Sequence, residues 1–253
     1  MGITPDLSGH NILITGAARG LGRSMAIKLA GCGATIAVVD LDQSACASVA
    51  TAIVTAGGKA MAFAADVASR DELLHAASKF AAQCGRIDGV VNNAMLLKYE
   101  PVEQITEETL NRMVSIGING SVWGAQALLA HYDPARGGAI INMASPVAEK
   151  GFPNTAAYSL VKGAIVTLTK VLAAELGPRG IRVNAIAPGS VPTPGALGLN
   201  DKAEYERRTK TIPLRRLGRE EDNAEACAFL LSDSASFING EILHVDGGIA
   251  AAG

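Results

Sequence analysis

The chain has 253 residues, of which 49% are apolar and 18% charged, and a formal charge of −2. Such a chain can bury a sizeable core, which argues against disorder, and the lack of any basic tract argues against nucleic acid or an anionic membrane surface as its main partner. Its four cysteines, Cys32, Cys46, Cys84 and Cys227, stand far apart with no CxxC pair, as in a reducing compartment without a disulfide or zinc framework.

Short apolar runs alternate with amphipathic stretches along the whole chain. A strand is predicted at 11–15 (NILIT), then a helix over Leu21–Gly31 and a strand at 35–40 (TIAVVD). Strands at 60–67 and 87–94 flank a helix over Arg70–Cys84, and a long helix follows over Thr106–Tyr132. Next come a strand at 138–145, a helix over Tyr158–Leu176 and a strand at 181–188. Residues 190–217, with three prolines and many charges, are too long for a plain connector and read as a substrate lid. A helix over Glu220–Ser232 and a strand at 241–248 close the pattern. Strands hydrophobic nearly throughout belong to a sheet covered on both faces. The alternation predicts an α/β fold, a single Rossmann-type domain over 1–253 whose doubly wound parallel sheet of about seven strands carries helices on both faces.

The first ten residues, MGITPDLSGH, lack the basic-then-apolar pattern of a secretory signal, and no apolar run reaches the length of a membrane span. The expected setting is the cytoplasm. His10, His75, His131 and His244 show no ligand spacing, so no metal site is expected.

The stretch NILITGAARGLG places Gly16, Gly20 and Gly22 directly after the first strand and at the mouth of a helix. Glycine there lets backbone approach a pyrophosphate, which the helix N-terminus attracts; tight strand–helix packing is the other reading. Asp40 ends the second strand, near the spacing at which an acid meets the ribose hydroxyls of an adenine dinucleotide. A carboxylate would repel a 2′-phosphate and so favours NAD over NADP, whereas Arg19 could hold that phosphate and pulls the other way. A solvated strand end is the bland alternative for Asp40.

Tyr158 and Lys162 lie one helical turn apart in AAYSLVKGA. A free phenol titrates near pH ~10, too high for a base at neutrality. An ammonium on the same helix face favours the phenolate and brings the base toward working pH. Ser145, at the end of the fifth strand, lies where open α/β sheets place their ligands.

Taken together, Thr15-Gly-x-x-x-Gly-x-Gly22, Asn92-Asn93-Ala94, Ser145, Tyr158-x-x-x-Lys162, Pro188-Gly189 with Thr193, RLG at 216–218 and VDGG at 245–248 resemble the short-chain dehydrogenase/reductase family across essentially the entire chain. The resemblance implies an NAD-dependent oxidoreductase interconverting a secondary alcohol and a ketone. Tyr158 would be the general base, Lys162 its electrostatic partner and Ser145 the donor that positions the substrate oxygen. Cofactor contacts would come from Gly16, Arg19, Gly20, Leu21, Gly22, Asp40, Leu41, Asp66, Val67, Asn92, Ala94, Pro188, Gly189, Val191 and Thr193, as well as Tyr158 and Lys162. Within that set, Asp66 would meet the adenine amino group, Asn92 would pass beside the cofactor and Thr193 would hold the nicotinamide carboxamide. Subunits of the family often pair through long helices and the C-terminal region, which implies a homotetramer.

Two positions depart from the family's pattern. Met95 stands where Asn-Asn-Ala is usually followed by glycine; it either repacks the pocket or sets specificity. In SIGINGSVWGAQA, Gly117 takes the place of the family's catalytic asparagine, and Asn119, two residues on, is rotated by about 200°. Glycine keeps the backbone carbonyl and leaves room for a water, so the proton relay is expected to persist through backbone and water, with a local kink. Gly117 also sustains a rival from another class, an NAD-binding sensor or scaffold without turnover. The substrate pocket is expected around Met95, Ser145, Val147, Phe152 and Tyr158, walled also by Leu96, Leu97, Pro146 and the lid. Lys98, Glu149 and Lys150 are either solvated or offer polar contacts to a sugar acid, polyol or other hydroxylated small molecule, and an apolar ketone stays open as substrate.

Overall fold

The computed structural model describes residues 5–196 and 202–252. Seven strands form one parallel sheet in the order β3-β2-β1-β4-β5-β6-β7. They are β1 (Asn11–Thr15), β2 (Thr35–Asp40), β3 (Lys59–Ala64), β4 (Gly89–Asn92), β5 (Gly138–Met143), β6 (Ile181–Pro188) and β7 (Ile242–Val245). Eight α-helices are described: α1 (Gly20–Gly31), α2 (Gln43–Thr55), α3 (Arg70–Cys84), α4 (Glu107–Val114), α5 (Gly120–His131), α6 (Ala156–Leu176), α7 (Lys202–Thr211) and α8 (Glu220–Leu231).

Alternate residues of each central strand feed two cores. Ile12 and Ile14 of β1 pack with Met25, Leu29 and Cys227 of α1 and α8 on one face, while Leu13 joins Leu73, Phe80 and Leu128 of α3 and α5 on the other. Full burial of each such side chain contributes on the order of 1.5–3 kcal/mol, which explains strands without a polar face. Helix ends follow local chemistry. Asp42 caps α2 by accepting from the Ser44 and Ala45 amides, Ser69 caps α3, and Gly85 ends α3 at φ 85°, a conformation that suits glycine.

The strand order reverses between β1 and β4, so a crevice opens at their C-terminal ends, where such sheets bind ligands. Strands expected at 60–67, 87–94 and 241–248 are shorter at their C-terminal ends. Backbone turns take over there, as where the Ser69 amide donates to Asp66 O. The expected helix over Thr106–Tyr132 is interrupted: Ser115–Asn119 forms a π turn centred on buried Gly117. Glu107–His131 as one helical stretch is nonetheless long and apolar enough by composition to cross a bilayer, contrary to the sequence reading. It is built into the protein instead, with Met113, Ala127 and Leu128 fully buried. The lid expected at 190–217 contains α7, while 197–201 lie outside the described residues.

Candidate active site

The glycine turn is held from below by Asn93. Its Nδ2 donates to Thr15 O and Gly16 O, both at 2.9 Å, while the Thr15 hydroxyl accepts from the Asn93 and Ala94 amides at 3.0 and 3.1 Å. Gly16 has φ 62°, and a Cβ on it would stand 2.8 Å from Ala94 Cα, so no larger residue fits. Helix α1 begins at Gly20 behind an extended Arg19, with no side chain capping it. Its first-turn N–H groups are therefore available to an anion. A Cβ on Gly20 would reach 3.5 Å from Thr193 Cβ, which places Thr193 across the turn from the helix mouth. Arg19 is exposed.

Asp40 closes the far side of the turn. Its Oδ2 accepts from the Ala18 amide at 3.1 Å and its Oδ1 from the Leu41 amide at 2.8 Å, so each oxygen keeps capacity to accept a further bond. Asp66 is more heavily engaged, accepting from Ala68 N at 2.9 Å and from Arg112 Nη2 at 2.9 Å. Val67 lies against Gly120, where a Cβ would come within 3.2 Å. The Asn92 side chain is held by the interior. Its Nδ2 donates to Ser121 O at 3.2 Å and Asn142 Oδ1 at 2.9 Å, so it serves the interior behind β4.

Around the lid, the Gly189 amide donates to Val245 O at 3.0 Å and Gly189 lies against Asp246. Val191 is buried against Gly218, whose amide donates to Ser190 O at 2.9 Å, and so the RLG motif anchors the lid's two ends together. The Leu214 amide donates to Gly247 O, which seats VDGG beneath the lid.

At the centre, Lys162 is buried and donates from Nζ to Met143 O at 2.5 Å; its Nζ stands 5.5 Å from the centre of the Tyr158 ring. Burial lowers Lys162 to about 8 from its ordinary 10.5. Part of the Tyr158 ring reaches solvent, but its titrating end lies deep among protein atoms. Burial first, and then Tyr99, push the phenol well above its usual value, while a hydrogen bond with Ser145 works the other way. Burial of the phenol thus opposes the tuning that the neighbouring ammonium is expected to supply. Ser145 is buried at the end of β5, and Val147 N approaches its Oγ at 3.4 Å.

Tyr99, which sequence reading passed over, meets Tyr158 edge to face with ring centres 5.6 Å apart. Burial raises Tyr99, opposed by the Arg208 cation, while Tyr205 adds to the rise; α7 thus bears on the cleft. Asn93 is visible in the sequence as one residue of the Asn-Asn-Ala motif, and its structural task shows only in three dimensions. Val147 and Phe152 line a cavity of about 710 Å³ with Glu149 and Lys150, a lining that does not include Met95, Ser145 or Tyr158. The charges that could offer contacts to substrate have protein partners: Lys98 pairs with Glu100 at 2.6 Å, Glu149 with His244 at 3.3 Å, and Lys150 donates to Ile249 O at 3.0 Å.

The water expected at Gly117 has no room. A Cβ there would run into Val161 Cγ1 and lie 3.0 Å from Met95 Sδ, and the Gly117 carbonyl already accepts from Ser121 Oγ at 2.7 Å. The helix is locally irregular here, with the π turn over Ser115–Asn119.

An uncapped helix mouth faced by Thr193 and flanked by a free-edged carboxylate fits an adenine dinucleotide. The fold and the Ser145–Tyr158–Lys162 cluster define a class, the nucleotide-dependent oxidoreductases of doubly wound α/β architecture. Residues 16–250 match the family described as enoyl-(acyl carrier protein) reductase. The chain is 36% identical over 250 residues to 2-(S)-hydroxypropyl-CoM dehydrogenase 3 of Xanthobacter autotrophicus, a match covering 97% of this chain and 98% of that one. It is similar to a gluconate 5-dehydrogenase from Burkholderia cenocepacia, solved in complex with NADP and tartrate, with TM-score 0.93 and 32% identity over 98% of each chain. It is also similar to a 3-ketoacyl-(acyl-carrier-protein) reductase from Brucella melitensis complexed with NADH, with TM-score 0.90 and 36% identity over 97% of this chain and 100% of that one. This protein belongs to the short-chain dehydrogenase/reductase family.

Proposed function

We propose that this protein is an NAD-dependent dehydrogenase that interconverts a secondary alcohol and a ketone on a hydroxylated small molecule such as a polyol or sugar acid. One observation carries the reading: a buried ammonium, fixed on Met143 O, lies beneath a phenol that also meets Ser145, at the C-terminal edge of the sheet beside an uncapped helix mouth. The N–H groups from Gly20 to Gly22 hold the pyrophosphate, Asp40 the ribose, Asp66 the adenine end and Thr193 the nicotinamide end. Asp40 favours NAD because a carboxylate at the ribose repels a 2′-phosphate. The dinucleotide, when bound, supplies the hydride acceptor and a positive charge beside the phenol.

Ser145 orients the substrate oxygen, and Tyr158 takes its hydroxyl proton as the carbonyl forms. Lys162 stabilises the phenolate by charge, in a site dry enough to make that charge count. The reverse direction uses Tyr158 as the acid. The setting proposed is the cytoplasm and the assembly a homotetramer; exposed Leu160 and Val171 on α6 offer apolar surface for pairing.

The test is a panel of sugar acids, polyols, hydroxysteroids and aryl alcohols with NAD and NADP, followed by nicotinamide absorbance. Turnover with at least one secondary alcohol is expected, and Tyr158→Phe should lower kcat by about 10²–10⁴ while dinucleotide affinity stays near that of the parent. Dinucleotide binding without turnover across the panel would instead favour a sensor or scaffold. A phenylalanine variant that still turned over would refute the proposed base.

A further inference from the structure

Met95 and Gly117 are the two places where this chain breaks its family's motifs, and the structure brings them into contact. Gly117 sits at the middle of the π turn, buried, with Met95 Sδ 3.0 Å and Cε 3.7 Å from where a Cβ would stand, and Val161 Cγ1 closer still. A π turn widens the helix by one residue and often marks a functional site. Here the space is closed by Val161 together with a flexible thioether, the side chain best suited to an irregular gap. Met113, Val161 and Ala144 form the apolar cluster at this point, with Met95, Val114, Ile118 and Tyr158 packed against it.

The polar groups behind the π turn lead elsewhere. Ser121 Oγ donates to Gly117 O, Asn92 Nδ2 to Ser121 O and Asn142 Oδ1, and Asn142 Nδ2 to Thr169 Oγ1, which donates to Ile165 O. Lys162 takes no part in these bonds; its Nζ is on Met143 O. The titratable groups bearing on Tyr158 are Lys162 and Tyr99, and those bearing on Tyr99 are Arg208 and Tyr205 of α7.

We propose that Met95 and Gly117 form one complementary unit. The thioether plugs the notch of the π turn, so the Tyr158–Lys162 couple exchanges its proton with solvent through the mouth of the cleft and not through the α4–α5 side. Met95 is thus a positioning residue, acting through the dryness it gives the pair. The packing half stands on geometry alone; the proton-route half rests on the function proposed above.

Four proteins test it: the parent, Gly117→Asn, Met95→Gly and the double variant, with Met95→Leu as the bulk-preserving control. Thermal unfolding reads the packing. Gly117→Asn should lower Tm by about 5 °C through overpacking, and the double variant should regain part of that loss, a non-additive pair. Tyrosinate absorbance against pH, taken as the difference from Tyr158→Phe, reads the water barrier without substrate. In the parent Tyr158 should stay protonated up to alkaline unfolding. Met95→Gly should bring its ionisation into the measurable range, and Met95→Leu should restore parent behaviour. Additive Tm losses would overturn the complementary unit, and a Met95→Gly protein titrating like the parent would overturn the barrier. Both readouts are independent of turnover, so a protein that oxidised no alcohol would sink the functional reading and leave these outcomes interpretable.

Discussion

Lys162 offers a stability test that needs neither substrate nor cofactor. Its ammonium is buried with one protein hydrogen-bond partner, Met143 O, and burial brings it from 10.5 to about 8. Between these two values the folded protein has released a proton that the unfolded chain still holds. Stability rises with pH wherever the unfolded state binds more protons, so the sign is positive. The burial penalty is fully present below about pH 8 and is relieved as pH climbs toward 10.5. Integrating between the two values gives a gain of about 1.5 kcal/mol by about pH 9 and about 2.5 kcal/mol by about pH 10. Other groups also titrate in this range, so the quantity to measure is the difference in unfolding free energy between the parent and Lys162→Met. Urea melts near pH 7, 9 and 10 supply it. A difference that stayed flat would mean that Lys162 titrates as a solvated amine, and a solvated amine cannot act as a dry charge beneath Tyr158. At neutrality the group remains mostly cationic, which is the state the proposed base requires.

Two further outcomes check the cofactor cradle. Asp40→Ser removes the carboxylate without blocking the Ala18 amide it accepts from, and should lower the NAD-to-NADP preference in kcat/KM by about 10- to 100-fold, the Coulomb gain being reduced by solvent at this crevice edge; an unchanged ratio would remove Asp40 from the ribose. Asn93→Ala strands the carbonyls of Thr15 and Gly16 beneath the glycine turn, at a cost of about 2–4 kcal/mol, seen as a Tm lower by roughly 5–15 °C and as weaker dinucleotide binding in a titration; an unaltered Tm would mean that the turn holds itself.

What the sequence disclosed and what it withheld divide by range. The order of strands and helices was legible because fully apolar strands separated by helices have one economical packing, and β1, β2 and β6 fall where their hydrophobic runs lie. Tyr158 and Lys162 were legible because helix periodicity alone puts them on one face. Tyr99 was not, because its contact with Tyr158 crosses from the loop after β4 to α6 and leaves no spacing in the chain. The destination of the Asn92 side chain was equally hidden: its partners lie 29 and 50 positions away, on α5 and β5. Helix α7 eluded the pattern because its polar, charge-rich sequence KAEYERRTKT has no apolar stripe of core width. Its stability comes in part from Glu204, which binds both Arg207 and Arg208 at 2.7 Å within one turn.

Gly117 carries the point further, since sequence and chemistry together gave a water where the structure has a methionine. A water there requires that the space left by the missing side chain stay open and have polar partners. In a dense interior such space is closed by apolar neighbours, here Val161 and the flexible Met95. The same end of β5 then sets the active centre. Met143 supplies the carbonyl that fixes Lys162, and Ser145, two residues on, meets Tyr158 from the other side. One strand end thereby positions both partners of the phenol. Parallel pairing of Met143 with Ile186 on β6, and of Asn142 with Asn92 on β4, holds that end in register from both neighbours. A one-residue slip of β5 would turn its side chains to the opposite face, removing Ser145 from Tyr158 and unpairing Lys162 in a single step. The geometry of the proposed site is therefore tied to the centre of the sheet, although Ser145, Tyr158 and Lys162 lie outside its paired strands.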